Sequence, residues 1–176
     1  MRDFKVIEHK QNGITHYLED GLVQSVDPPE SYFGFMYWSL MIPPFKPERI
    51  LQLGCGKHTI IKLIEKVYGN GSVTLCSATK DIFKFIKECA EDGAVFDYVI
   101  VDFFKGKQID KRILKDEGFI KDLDKVSTGL VAINTNKGTF KLERYEDYFK
   151  VLLVKEIGTN EVIFLQKKDD TNTYIP

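Results

Sequence analysis

From residue 49 the chain alternates short apolar runs with segments of helical period, and that alternation constrains the fold more than any other feature. The first unit is Arg49-Ile50-Leu51-Gln52-Leu53, broken at Gly54-Cys55-Gly56 and followed by Lys57-His58-Thr59 and an apolar helical stripe. Ile50–Leu53 reads as a strand. Ile60, Leu63, Ile64 and Val67 then share one helical face until Gly69-Asn70-Gly71 stops the helix. A strand that turns on glycines into a helix presents backbone N–H groups to nucleotide-like ligands. The same junction also arises wherever a tight turn needs positive φ, so its meaning depends on the rest of the chain.

The alternation continues. Ser72–Cys76 reads as a strand, about 80–89 as a helix with Ile82, Phe83 and Ile86 in step, and Tyr98–Val101 as a buried strand ending at Asp102. A helical stretch over about 110–126, interrupted by Gly118, leads to a strand at Leu130–Asn134. Tyr148–Lys155 and Glu161–Gln166, joined through Gly158-Thr159-Asn160, form an antiparallel hairpin. The pattern predicts an α/β, Rossmann-like fold: a mostly parallel sheet whose last strand enters antiparallel. Ligands of such sheets bind beyond the carboxyl ends of the strands, which gathers Gly54–Thr59, Ser77–Asp81 and Asp102–Gly106 around one crevice.

The first 47 residues read differently. Residues 4–8 and 14–18, flanking Gln11-Asn12-Gly13, predict a hairpin, and Glu19-Asp20-Gly21 turns into a third strand at Leu22–Val26. Asp27-Pro28-Pro29-Glu30-Ser31 predicts a helix start, with a helix at about 31–41 that Pro43, Pro44 and Pro47 end. Two units are expected: a small β-segment plus helix over 1–47, and a Rossmann-like domain over 48–176.

Bulk properties narrow the function. Twenty-five basic and 26 acidic residues leave a net charge of −1, so no global field steers the protein toward nucleic acid or an anionic membrane. Cys55, Cys76 and Cys89 have neither disulfide nor zinc spacing, and His9, His16 and His58 are dispersed, so no metal is expected. The Met1-Arg-Asp-Phe-Lys start lacks a signal-peptide pattern and no run approaches 18 apolar residues; a cytoplasmic protein is expected.

Taken in order, these pieces resemble the class I S-adenosylmethionine-dependent methyltransferases and, within them, the spermidine synthase-like branch. Tyr17-Leu18-Glu19-Asp20-Gly21-Leu22-Val23-Gln24 is similar to that branch's Leu-x-Leu-Asp-Gly-x-x-Gln segment, and Glu30-Ser31-Tyr32 to its Asp/Glu-x-x-Tyr helix entry. Phe96-Asp97-Tyr98-Val99-Ile100-Val101-Asp102 resembles the strand that delivers the catalytic aspartate, and Asn160–Phe164 the terminal hairpin strand. The resemblance implies S-adenosylmethionine or a related adenosyl thioether as cofactor, held by Gly54, Gly56 and Asp81, with Asp102 catalytic. It also implies a small-molecule substrate met by Gln24 and Tyr32, aromatic walls from Tyr32, Phe33, Phe103 and Phe104, and a homodimer through the N-terminal sheet and Tyr32–Pro44.

The chain departs from the branch where charge matters. Lys57 stands where aminopropyltransferases have an aspartate, Phe33 replaces the glutamine after the helix tyrosine, and Lys105 replaces the second acid of the Asp-x-x-Asp pair. Lys57 would suit the carboxylate of an intact methionine tail better than a decarboxylated one. Lys105, three residues from Asp102, is expected to lower that carboxyl's pKa. Lys105, Lys107, Lys111 and Arg112 form either a solvated loop or a surface that an anionic substrate uses.

The chain is also one strand–helix unit short before Asp102. If Ser72–Cys76 is the second strand, Ser77 replaces the ribose-gripping acid; if it is the third, Asp81 with Phe83-Lys84-Phe85 matches the segment that faces adenine, and the closer match favours the third. Losing one such charged contact costs about 2–3 kcal/mol, roughly 30–150-fold in affinity. The expected function is an S-adenosylmethionine-dependent transferase acting on a small substrate. The alternative is a non-catalytic binding or structural protein on the same fold, with aminopropyl transfer in last place.

Overall fold

The computed structural model describes residues 7–19, 21–54, 56–70, 72–76 and 81–170. The first strand, β1 (Ile7–Gln11), pairs antiparallel with β2 (Ile14–Glu19), which pairs with β3 (Leu22–Asp27). Asn12 and Gly13 both take positive φ, 51° and 78°, making the two-residue turn that matches strand twist. Because that turn needs only those two residues, Gln11 pairs with Ile14 and the strand runs closer to the turn than predicted. The predicted strand residues 4–6 lie outside the described residues.

The helix predicted at 31–41 is instead a 3-10 turn at Pro29–Tyr32 and one short helix, α1 (Tyr37–Leu40). Gly34, at φ 83°, breaks the helical path between them. The apolar density of the segment serves packing rather than helical period: Trp38 and Met41 are buried, whereas Phe33 and Phe35 are exposed.

The main sheet follows the predicted alternation: β4 (Arg49–Leu53), α2 (Thr59–Tyr68), β5 (Ser72–Cys76), α3 (Ile82–Glu91) and β6 (Phe96–Val101). After a small hairpin of β7 (Phe104–Lys105) and β8 (Gln108–Ile109) come α4 (Glu117–Val126), β9 (Ser127–Asn136), β10 (Phe149–Ile157) and β11 (Asn160–Lys167). Strand order is β10-β11-β9-β6-β4-β5; β5, β4, β6 and β9 are parallel, and β11 runs antiparallel to both its neighbours, β9 and β10.

Side chains alternate between two cores. Ile50, Tyr98, Ile100 and Phe164 pack with α2, Trp38, Met41 and Val26 on one face. Leu51, Leu53, Val99, Val101 and Ile133 pack with α3 and α4 on the other. Val67, predicted on the buried face of α2, is half exposed in the helix's last turn.

Helix α4 starts later than the predicted 110–126 stretch. The Asp116 carboxylate accepts from the Phe119 N–H at 3.1 Å and caps the helix. The Asp110 carboxylate accepts from the Arg112 N–H at 3.0 Å and turns the preceding residues into a loop. Gly118 sits inside the first turn of the helix rather than breaking it.

Strand β5 pairs directly with β4, Ile50 beside Val73 and Leu53 beside Cys76. In the doubly wound order 3-2-1-4-5-6 that is the place of the second strand, so the preference for a third strand does not hold. The helix after it lies on the face opposite α2, because a right-handed return across β4 to β6 demands that side. One strand and one helix thus span what two units span in a longer fold.

Candidate active site

The carboxyl ends of β4 and β6 meet at Gly54 and Asp102. The Asp102 N–H donates to the Leu53 carbonyl at 2.9 Å. Gly54 has φ 79°, and a Cβ there would lie 2.2 Å from the Asp102 carbonyl oxygen. Glycine at 54 is therefore required by the approach of the two strand ends, whatever the loop binds.

Asp102 is held by a ring of neutral donors. The Tyr37 hydroxyl donates to one carboxylate oxygen at 3.1 Å and the Asn134 amide to the other at 2.8 Å. Asn160, from the β10–β11 turn, donates to the Asn134 side-chain oxygen at 2.9 Å. Burial pushes the Asp102 pKa up to about 6, against the lowering effect of the Asn134 and Tyr37 hydrogen bonds. The predicted downward pull from Lys105 is absent, because Lys105 turns away to form an ion pair with Asp110 at 2.7 Å. A carboxylate with a pKa near 6 is ionised at neutral pH and basic enough to accept a proton from a reacting group.

Beyond Gly54 the glycine loop leans on the N-terminal sheet. The Lys57 N–H donates to the Ser25 hydroxyl at 2.9 Å, and the Val26 N–H donates to the Thr59 hydroxyl at 3.3 Å. A Cβ on Gly56 would lie 3.0 Å from the Ser25 hydroxyl oxygen. The Lys57 ammonium sits 4.9 Å from the centre of the Tyr17 ring. His58 precedes α2 in the left-handed conformation, and its side chain makes no capping hydrogen bond to that helix. Burial, with Lys62 and Lys57 nearby, lowers the His58 pKa.

Two buried polar atoms beside this loop, the Gln52 Oε1 and the His58 Nδ1, have no hydrogen-bond partner among the described residues. The α2 N-terminus with Lys57 beside it fits the carboxylate of an adenosyl thioether's amino-acid end, and the Gln52 oxygen, an acceptor, fits a donor such as that end's ammonium. At the other end of the crevice, Asp81 caps α3 by accepting from the Phe83 N–H at 3.1 Å and lies 3.8 Å from the Arg112 guanidinium. Arg112 in turn lies 3.8 Å from the centre of the Phe83 ring and pairs with Asp110 at 2.8 Å. Ser77, the candidate replacement for the ribose acid, lies outside the described residues, as does Cys55.

A cavity of about 400 Å³ opens on the other side of Tyr37 and Asn134, with Gln24, Phe104, Lys107 and Asn160 in its lining. Of the two predicted substrate contacts, Gln24 lies in this lining. Tyr32 does not: its hydroxyl bonds the His16 ring at 2.9 Å. Of the predicted aromatic walls, Phe104 lines the cavity, Phe103 belongs to the core and Phe33 is exposed. Asp102 does not line this cavity itself; two of the lining residues, Tyr37 and Asn134, stand between.

Sequence reasoning overlooked Tyr37, Asn134 and Asn160. Tyr37 was hidden among the aromatics of 32–42. Asn134 left one clue, a polar residue closing the apolar run Leu130–Ile133, where it is fully buried.

Among the described residues no group of three or more His, Cys, Asp and Glu is placed to hold a metal, and no helix is long and apolar enough to cross a membrane. No family model and no curated protein matches the chain. Solved structures do. A protein assigned as a methyltransferase and solved with S-adenosylhomocysteine superposes with TM-score 0.58 and 13% identity, over 92% of this chain and 56% of its own. A spermidine synthase in complex with the transition state analogue AdoDATO gives TM-score 0.56 and 14% identity, over 95% and 76%. A ribosomal protein L11 methylase from Lactobacillus delbrueckii subsp. bulgaricus gives 0.54 and 18%, over 74% and 76%. The chain spans little more than half the length of the first of these. With its strand order and its antiparallel final pair, this protein has the Rossmann-like fold of the class I S-adenosylmethionine-dependent methyltransferases.

Proposed function

We propose that this protein is an S-adenosylmethionine-dependent transferase acting on a small acceptor held in the cavity beside Tyr37 and Asn134. The observation that carries the reading is Asp102: a carboxylate at the end of β6, against the glycine loop, with a pKa near 6 and two fixed donors. Gly54, Gly56, Lys57 and the N-terminus of α2 would hold the anionic tail of the cofactor, with Asp81 toward its adenosyl end. When bound, that cofactor supplies an electrophilic carbon on a sulfonium.

The chain's own part is to orient the acceptor and to take up a proton from its nucleophilic N–H or O–H. Tyr37 faces the cavity and donates to Asp102, so a proton leaving the acceptor would be received by the Tyr37 oxygen as Tyr37 passes its own to Asp102. Both groups end in ordinary protonation states. Aminopropyl transfer has the least support, since Lys57 stands in the glycine loop and Lys105 is bound to Asp110 rather than supplying a second acid.

Calorimetry with S-adenosylmethionine, S-adenosylhomocysteine and methylthioadenosine tests the reading directly. Binding of one of them, weakened by Asp81→Ala, supports it, and absence of binding at millimolar ligand rejects it. Decarboxylated S-adenosylmethionine with putrescine should give no product. A non-catalytic binding protein is the second reading, favoured by one observation: both Asp102 oxygens are already paired within the protein and none of the described cavity lining is a carboxylate.

A further inference from the structure

We propose that the cavity selects an acceptor carrying an anionic group, a carboxylate or phosphate, and rejects polycations. The inference rests on the transferase reading only in treating this cavity as the acceptor's place. Among the described lining residues Lys107 is the single charged side chain; the other polar ones, such as Gln24, Tyr37 and Asn160, are neutral. Asp102, behind Tyr37 and Asn134, has each carboxylate oxygen already accepting from one of those two side chains.

Lys107, unlike Lys111 of the same stretch, lines the cavity. Lys105 and Arg112 are both tied to Asp110, at 2.7 and 2.8 Å, whereas Lys107 makes no ion pair among the described residues. Its backbone is nevertheless fixed. The Asn136 amide donates to the Lys107 carbonyl at 3.1 Å, and the Asn136 oxygen accepts from the Ile109 N–H at 3.0 Å, clamping the β7–β8 turn to β9. Lys107 is exposed and so stands at the mouth. An entering ammonium meets that positive charge and a neutral lining that does not repay its lost hydration. A carboxylate or phosphate gains a charge-assisted contact with Lys107, while its nucleophile points inward to Tyr37.

The test compares 4-aminobutyrate with putrescine, two four-carbon probes that differ in a terminal carboxylate against an ammonium. Each is titrated calorimetrically into the full chain, with and without S-adenosylhomocysteine. The carboxylate probe should bind at least about tenfold more tightly. Lys107→Gln should erase most of that preference and Lys107→Glu should reverse it, with S-adenosylhomocysteine affinity unchanged in both variants. Putrescine binding as well as 4-aminobutyrate, a preference that survives Lys107→Gln, or no binding of either probe at millimolar concentration overturns the proposal. If S-adenosylhomocysteine binds while the probes show no preference, the anionic class fails and the transferase reading stands. If it does not bind, that reading fails, and the probes titrated alone still decide the charge preference.

Discussion

Gly54 and Asp102 are in backbone contact: the position of a Gly54 Cβ lies 2.2 Å from the Asp102 carbonyl oxygen and 2.9 Å from the Phe103 Cα. The glycine loop and the acid strand are thereby locked into one unit. The carboxylate's distance from the loop cannot change without both strand ends moving.

Gly54→Ala should accordingly be severe. A positive φ costs an alanine about 1–2 kcal/mol, and here the collision is with backbone that cannot rotate away. A total loss of about 3 kcal/mol or more is expected in urea unfolding. Gly56→Ala, facing the Ser25 hydroxyl at 3.0 Å, should cost about 1 kcal/mol, mostly from φ.

Asp102 makes stability depend on pH in an unusual direction. Its folded pKa, about 6, lies above the ordinary carboxyl value, so between roughly pH 4 and 6 the folded state binds the proton that the unfolded state has released. Stability contributed at this site therefore falls as pH rises through that window, by about 2–3 kcal/mol. Asp102→Asn removes the dependence. The stability of this variant relative to the unmodified protein should be about 2 kcal/mol more favourable at pH 7 than at pH 4.5, measured by urea midpoints. A difference that does not change with pH would disprove the shifted pKa.

Tyr37→Phe and Asn134→Ala each remove a donor that favours the ionised form. Both should raise the Asp102 pKa further, followed by carboxyl carbon chemical shifts across the titration. In the transferase reading Tyr37→Phe should lower kcat more than it raises KM.

Asp110 titrates in the opposite sense. Burial favours its neutral form, but hydrogen bonds from Arg112 and Lys105 prevail and hold its pKa well below the usual carboxylate range. Its contribution is present above the ordinary carboxyl pKa and is lost on acidification below about pH 4. Asp110→Asn leaves both cations without their acid and should cost about 2 kcal/mol at pH 7, with little further loss at pH 3.

Asp81 separates a structural role from a binding one. Losing its cap on α3 should lower stability by about 1 kcal/mol in Asp81→Ala, and Asp81→Ser should recover most of this. If the carboxylate also meets the cofactor, Asp81→Ser restores stability without restoring affinity.

Much of this protein is legible along the chain because it is written in local chemistry. The apolar run and glycines at 50–56, the Asn12-Gly13 turn and the Gly158–Asn160 hairpin each dictate nearby backbone, and burial on both sheet faces makes β4 and β6 near-continuous apolar strands. Asp102 was readable as the polar end of such a strand. What the tertiary structure decided are relations between distant segments. The β5 strand takes the second strand's place because pairing with β4 is chosen by the sheet and not by the residues of 72–76. The 31–41 segment breaks at Gly34, whose φ is 83°, and Trp38 and Met41 beyond it are buried in the core. Lys105 lies near Asp102 in sequence, yet a strand end and a tight hairpin turn it to Asp110. Meanwhile Tyr37, Asn134 and Asn160 reach the Asp102 cluster from 65, 32 and 58 residues away, and no periodicity encodes that meeting. Spacing along the chain sets which residues share an element; only the packing of elements sets which charges meet.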